Sequence, residues 1–246
     1  MNQHEVFMQS DRRFFIKKAT LFSTVIASGF LSGIPFNAAA KSALLTKEER
    51  DNLSPDQVIE MIKAGNKRFR NGEKLEHDFL SQKRTSRGGQ YPVAVILGCI
   101  DSRTPAEIIT DTGIGELFNC RVAGNIENDD ILGSLEFSCA LSGAKVVMVM
   151  GHTKCGAIKG AASDAKLGNL TSLLEKIKPA IEKTNYSGEK DVNDYQYIDA
   201  IARSNVLLTI ENIRNKSAVL ASLESDRKIK IVGTLYHLEG GRLEFL

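Results

Sequence analysis

No tryptophan occurs anywhere in the 246 residues, and cysteine occupies only four positions. Four cysteines in this length are too few for a disulfide framework. The 42% hydrophobic and 25% charged residues are instead the composition of one compact globular domain with its own core. An excess of one charge is missing as well. The formal net charge is +2, so no surplus of positive charge argues for a nucleic-acid partner. No internal repeat and no linker-like stretch divides the chain, and one domain is the simplest organisation.

The first forty residues differ from the rest. "DRRFFIKK" is followed by the moderately apolar "ATLFSTVIASGFLSGIPF" and then by "NAAAKS". A charged start, an apolar run and an A-x-A ending make an export signal with cleavage expected after Ala40. Arg12, Arg13, Phe15, Ile16 and Lys17 resemble the twin-arginine signal, with Asp11 where Ser or Thr is usual. The competing reading is a membrane anchor. The run is long enough for a short span, but its Ser, Thr and Gly content makes a weak one. Domain boundaries of 1–40 (signal) and 41–246 follow, with a periplasmic destination and no stable membrane association after cleavage. Four of the 32 basic and two of the 30 acidic residues lie in the signal, which leaves 28 of each sign in the mature chain. A nucleic-acid partner is therefore not expected.

Along the mature chain, residues 41–53 read as a polar lead-in. "SPDQVIEMIKAGNKRFRNG" reads as a helix, with Ser54 as cap, Pro55 in the first turn and an apolar face at Val58, Ile59, Met61, Ile62 and Phe69. Residues 71–90 are polar and glycine-bearing, and are expected to be a loop with short turns. "PVAVILG" (92–98) and "AKVVMVMG" (144–151) are continuous apolar runs, as expected of strands buried on both faces. "ELFNCRVAG" (116–124) is a further strand candidate, and "KIKIVGTLYHL" and "GRLEFL" read as terminal strands around a turn. Helices are expected from Pro105, over 128–143, from Cys155, over "LTSLLEKIKPAIEK" and over 194–226. Alternating strands and helices predict an α/β fold with a central, mostly parallel β-sheet flanked by helices. In such sheets sites form at the carboxyl ends of strands.

Two of the apolar runs end in reactive residues. The first leads into Cys99, within "VILGCIDSRTP", and the other into "MGHTKCGAIKG", with His152 and Cys155. Two thiolates and one imidazole form a three-ligand set suited to catalytic zinc, with a fourth position left for water or substrate. The two-residue gap lets His152 and Cys155 face one point, and Cys99 can arrive from a neighbouring strand about 5 Å away. The competing readings are a small buried cysteine and a disulfide formed after export. A disulfide would leave His152 and Asp101 unexplained. Cys120 and Cys139 read as core residues. Asp101 and Arg103 share a side-chain direction if the strand runs on. The guanidinium can hold the carboxylate by two parallel hydrogen bonds and keep it ionised. So held, Asp101 can orient the hydroxide that zinc generates near neutral pH. The competing reading of this pair is an ordinary surface salt bridge. His77 and His237 read as structural or exposed.

At these residues the sequence resembles the β-class carbonic anhydrases. Their signature is Cys-x-Asp-x-Arg followed some fifty residues later by His-x-x-Cys, and Cys99 and His152 are 53 apart here. "GNKRF" (65–69), "GELFNCRVAGN" (115–125), "DDILGSLEF" (129–137) and "IVGTLYHLEGGRLEFL" also fit the family's pattern. The resemblance implies Cys99, His152 and Cys155 as ligands of one Zn2+ per subunit. It makes Asp101 the residue that orients zinc hydroxide, or in some members closes onto the metal, and Arg103 its partner. Gln90, in "GQYP", matches a glutamine supplied to the active site across a dimer interface. Gly98 and Gly156 match positions beside the metal and complete the substrate-binding candidates. The implied reaction is reversible hydration of carbon dioxide to bicarbonate and a proton, by a homodimer or homotetramer. Two other functions share this ligand set: hydrolysis of carbonyl sulfide or carbon disulfide, and non-enzymatic zinc or bicarbonate binding. The intact Asp101–Arg103 pair argues against the non-enzymatic binder. Members with a non-catalytic bicarbonate site carry tryptophan three residues before the first zinc cysteine. Ile96 stands there, and although Arg121 resembles the arginine of that site, it cannot rebuild it alone. An open site, with Asp101 off the metal, is expected.

Overall fold

A computed structural model describes residues 44–246; the expected export signal lies outside the described residues. The apolar runs become strands. β1 (Ala94–Gly98) and β3 (Val146–His152) are buried along their whole length. β2 (Leu117–Arg121) alternates in burial, β4 (Lys230–Tyr236) follows the last helix, and β5 (Leu243–Phe245) ends the chain. The sheet order is β2-β1-β3-β4-β5. The first four strands are parallel and β5 runs antiparallel to β4. The expected α/β fold with a mostly parallel sheet is what forms.

Continuous hydrophobicity in β1 and β3 is explained by two cores, one on each face of the sheet. Ala94, Ile96, Val146, Met148 and Met150 meet Val58, Ile59 and Ile62 on one face. Val95, Leu97, Val147 and Val149 meet Leu132, Leu135, Val206, Ile210, Ile213 and Leu220 on the other. Each fully buried aliphatic side chain contributes roughly 1.5–3 kcal/mol relative to exposure. The alternating side-chain directions along β1 and β3 therefore commit both helical layers.

The helices are α1 (Lys47–Asp51), α2 (Pro55–Asn71), α3 (Phe79–Thr85), α4 (Ala106–Ile109), α5 (Asp129–Glu136), α6 (Gly156–Ala162), α7 (Gly168–Glu175), α8 (Lys178–Lys183), α9 (Tyr195–Lys216) and α10 (Ala218–Ser225). Helix α2 starts as its sequence predicts: Ser54 caps the Gln57 N–H, Gln57 returns the bond, and Pro55 opens the first turn.

Several expectations need correction. The polar lead-in contains α1, whose Arg50 is buried and donates to Asp51 and to the Ser142 carbonyl. The segment 71–90 is not all loop, because Asp78 caps α3 and α3 buries Gln82. The helix expected over 128–143 changes period, with α5 passing into a π-helical segment Phe137–Leu141. Residues 194–226 form two helices, since the Ser217 backbone turns extended and its hydroxyl caps α10 at the Leu220 N–H. Cys139 is buried as expected, but Cys120 is only half-buried, because β2 is an edge strand with one side open. All four cysteines are free.

Candidate metal centre

The strand register brings the reactive residues together. β1 and β3 are parallel neighbours with Gly98 opposite Met150, so Cys99 and His152 leave the sheet at the same carboxyl edge. His152 is the last residue of β3, and Cys155 is the N-cap of α6. The ligand atoms of Cys99, His152 and Cys155 all lie within 4.8 Å of one another, and all three residues are buried. A third apolar cluster, including Ile158, Leu174, Ile177, Ile198 and Ile201, packs around Cys99 and Cys155.

The imidazole is oriented from behind. His152 Nδ1 lies 2.9 Å from the Thr153 carbonyl oxygen, which can only accept. Nδ1 therefore carries the proton and Nε2 carries the lone pair. Nε2 is buried and finds no hydrogen-bond partner of normal geometry, although Cys99 is close enough to interact with the ring. A buried, unpaired acceptor is costly. Its position within reach of two thiols is what a soft divalent metal requires, so the residues present fit zinc.

The thiols are not equivalent. Cys99 is pushed down to about 4, chiefly because the Cys155 thiol donates to it, with burial opposing and the Gly124 N–H assisting. Cys155 is correspondingly pushed up. Gly124 donates its N–H to Cys99 Sγ at 3.4 Å from a backbone with φ +71°. A Cβ there would sit 2.7 Å from Ile177 Cδ1, so only glycine brings that N–H to the sulfur without strain.

Asp101 and Arg103 pair as expected, but in a turn and not along a continued strand: β1 ends at Gly98, and the Thr104 N–H donates to the Asp101 carbonyl at 3.0 Å. Arg103 Nε donates to Asp101 Oδ1 at 2.9 Å, its terminal nitrogen donates to Oδ2 at 2.7 Å, and its backbone N–H donates to Oδ1 at 2.9 Å. The guanidinium, more than any other group, holds the Asp101 carboxyl well below the usual carboxylate range. Each carboxylate oxygen has two lone pairs. Oδ1 has used both, whereas Oδ2 has used one and lies 3.8 Å from His152 Nε2. The free lone pair of an ionised carboxylate thus adjoins the ligand cluster.

Of the remaining candidates, Gln90 sits apart from this cluster, whereas Gly98 and Gly156 adjoin Cys99 and Cys155 in the chain. Gln90 is exposed and precedes the amino end of β1, whereas Cys99 follows its carboxyl end. Gly98 is buried at the end of β1, and an added Cβ would only touch Met150 Cε at 3.5 Å. Gly156 is exposed, and nothing lies within 4 Å of where its Cβ would be. His77 bonds the buried Asp111 at 3.1 Å and stacks on Phe79, and His237 bonds Glu244 at 2.8 Å. Both histidines are structural.

The sequence profile of the family described as carbonic anhydrase matches residues 94–243. A carbonic anhydrase of Mycolicibacterium smegmatis is 32% identical over 199 residues, covering 78% of this chain and 94% of that protein. Carbonic anhydrase 2 of Mycobacterium tuberculosis is 29% identical, covering 78% and 92%. The chain belongs to the β-class carbonic anhydrases. It is therefore an enzyme of a family that hydrates carbon dioxide and uses zinc. The fold agrees. A tetrameric β-carbonic anhydrase from Sordaria macrospora superposes with a TM-score of 0.62 at 23% identity, covering 78% of this chain and 94% of that one. A β-carbonic anhydrase of Aspergillus fumigatus gives 0.61 at 23% identity, with 78% and 89% covered.

Some features of this carbonic anhydrase's site were not legible in its sequence. Arg121 donates from Nε to the Cys99 carbonyl at 2.9 Å and from its terminal nitrogen to the Asp101 carbonyl, so it clamps the segment bearing the first ligand. The turn between His152 and Cys155 is anchored too. The Thr153 N–H donates to the Tyr236 carbonyl, the Leu238 N–H to Thr153 Oγ1, and the Lys154 N–H to Asp199 Oδ1 at 2.6 Å. Only the abundance of arginine and aspartate as clamps could have hinted at these, and it does not single out positions.

Proposed function

We propose that this carbonic anhydrase interconverts carbon dioxide and bicarbonate at a zinc ion held by Cys99, His152 and Cys155, with Asp101 and Arg103 as the groups that orient the attacking water. The observation that carries this reading is the orphaned, buried Nε2 of His152 beside two thiols, with the free lone pair of Asp101 Oδ2 alongside. Zinc bound there supplies a Lewis acid that brings the pKa of water from 15.7 to about 7. The chain's own residues do the rest. The Nδ1–H of His152 stays on the Thr153 carbonyl, which fixes the ring. Asp101 Oδ2 accepts one O–H of the attacking water and so points an oxygen lone pair at the carbon of the substrate. Arg103 keeps that carboxylate ionised and holds both of its oxygens by hydrogen bonds, which supports the open form of the site.

Gln90, Gly98 and Gly156 belong to the proposed substrate path, Gln90 as a residue lent to a second subunit. Placement of Gln90 at the far end of β1 from Cys99 supports that role over one in its own site. Among the described residues β2 has one unpaired edge, and Ile100, Ile108 and Ile114 expose 62%, 51% and 43% of their surface. Such a patch supports a homodimer or homotetramer. Residues 1–40 are proposed to direct export to the periplasm by the twin-arginine route. Among the described residues no helix is long and apolar enough to cross a membrane.

Stopped-flow hydration of carbon dioxide, followed with a pH indicator on protein of measured zinc content, tests the reading. Rapid hydration with one zinc per chain is expected. A fully zinc-loaded protein that fails to hydrate carbon dioxide, or that turns over only carbonyl sulfide, refutes it.

A further inference from the structure

The connector between His152 and Cys155 is two residues long, and its geometry sets how far apart two ligands stand. Thr153 is tied to the sheet through Tyr236 and Leu238. Lys154 is different. Its φ is +55°, the left-handed region that a lysine rarely adopts. Asn and Asp visit that region with help from a short polar side chain, and lysine has no such help. The compensation comes from another element: Asp199 on α9 accepts the Lys154 N–H at 2.6 Å. Next to Asp199, α9 buries Tyr197, Ile198, Ile201 and Ala202 in the cluster that packs around Cys99 and Cys155. The acceptor therefore sits on a packed helix and not on a mobile loop.

We propose that Asp199 is a positioning residue for the metal centre: by holding the Lys154 N–H it fixes the left-handed turn, and with it the separation of His152 and Cys155, and so sets metal affinity. This inference rests on the zinc reading of the ligand set. The role belongs to the hydrogen-bond acceptor and not to the negative charge. It is distinct from orienting a ligand directly, because Asp199 acts on the backbone between the two ligands.

The test uses the full chain and two readouts other than turnover: zinc affinity by competition with a chromophoric chelator, and the visible absorption of the cobalt-substituted protein. Asp199→Ala is expected to weaken zinc binding by about 10–100-fold, the usual cost of losing an outer-shell contact, and to shift the cobalt bands. Asp199→Asn keeps an oxygen acceptor at the same reach and is expected to stay within about threefold of wild type, which a charge-based role would not allow. Asp199→Ser, too short to reach the Lys154 N–H, is measured alongside, so that a folding failure of the alanine variant leaves the question decidable. Serine and alanine variants with wild-type affinity and wild-type cobalt spectra overturn the proposal. So does an asparagine variant as weak as the alanine one. A wild-type chain that binds no zinc in the same titration removes the metal-centre reading itself, an outcome separable from all of these.

Discussion

Replacing Asp101 by asparagine removes one charge and one acceptor while keeping the shape. Asparagine keeps one oxygen, and its better orientation places that oxygen at Oδ1, where two Arg103 N–H groups donate at 2.9 Å. The amide nitrogen then occupies the Oδ2 position, where an Arg103 nitrogen donates at 2.7 Å. Two donors face each other there, and one charge-assisted bond of roughly 1.5–3 kcal/mol is lost. More importantly, the free lone pair beside His152 becomes an N–H and can no longer accept from water. Loss of one preorganised polar contact to the reacting atoms typically lowers kcat by about 10²–10³, or roughly 2.7–4 kcal/mol of barrier. Asp101→Asn is therefore expected to lose about two to three orders of magnitude in carbon dioxide hydration. It should retain one zinc per chain, since none of the three ligands is touched. The pH profile adds a sign. Arg103 holds the Asp101 carboxyl so low that it is ionised throughout any assay between about pH 6 and 9. Asparagine should lower the plateau without removing a titration step from that range, because Asp101 does not titrate there. Turnover within threefold of wild type, measured by stopped flow at equal zinc content, would refute the role given to Asp101. Loss of a titration step between about pH 6 and 9 in the variant would refute the assignment of its charge state.

Three further outcomes are expected. Cys155→Ser should leave less than about 0.1 zinc per chain after dialysis and no measurable hydration, because a hydroxyl is a poor substitute for a thiolate on a soft-ligand site; elemental analysis checks it. Glu244 accepts from Arg203 first, then from His237 and Arg242, and is held down at about 2 against an ordinary value of 4.5. A depressed value means that the stabilisation is present above about pH 4.5 and is lost as the pH falls through about 2. Glu244→Gln should thus melt below wild type at pH 6 and level with it near pH 2. The group is partly exposed, so the gap should be about 1 kcal/mol or less. Gly65→Ala would set a Cβ 1.8 Å from the Thr110 carbonyl oxygen, an obstacle made of backbone. Overpacking of roughly 1–3 kcal/mol should lower Tm by about 2–12 °C, and a wild-type melting curve would show that α2 does not approach Thr110 so closely.

The contrast between Gly65 and Cys99 shows which parts of this enzyme could be read in advance. β1 and β3 were legible because burial on both faces leaves an unbroken apolar run, and Cys99, His152 and Cys155 because two such runs end in metal-binding side chains. The Asp101–Arg103 pair was legible because its partners are two positions apart in the chain. "GNKRF" could be matched to a family pattern, but not explained. Its reason lies in the close approach of Gly65 to Thr110 and in Asn66, whose amide donates to Ile109 and Gly241 carbonyls and accepts from the Leu243 N–H. Those partners are up to 177 positions away and are backbone atoms, which have no identity in a sequence. The same holds for Arg121 on the Cys99 carbonyl, for Ser217 interrupting a stretch without glycine or proline, and for Asp199 on Lys154. Periodicity records which face of an element is buried, and side-chain chemistry records what a site can bind. Neither records a side chain that ends on another segment's peptide group. In this protein such contacts hold both segments that carry ligands. Arg121 fixes the strand end that bears Cys99, and Asp199 with Tyr236 and Leu238 fixes the turn from His152 to Cys155. The sequence thus names the cluster that could hold a metal, whereas the anchoring of that cluster rests on residues that pattern reading passes over.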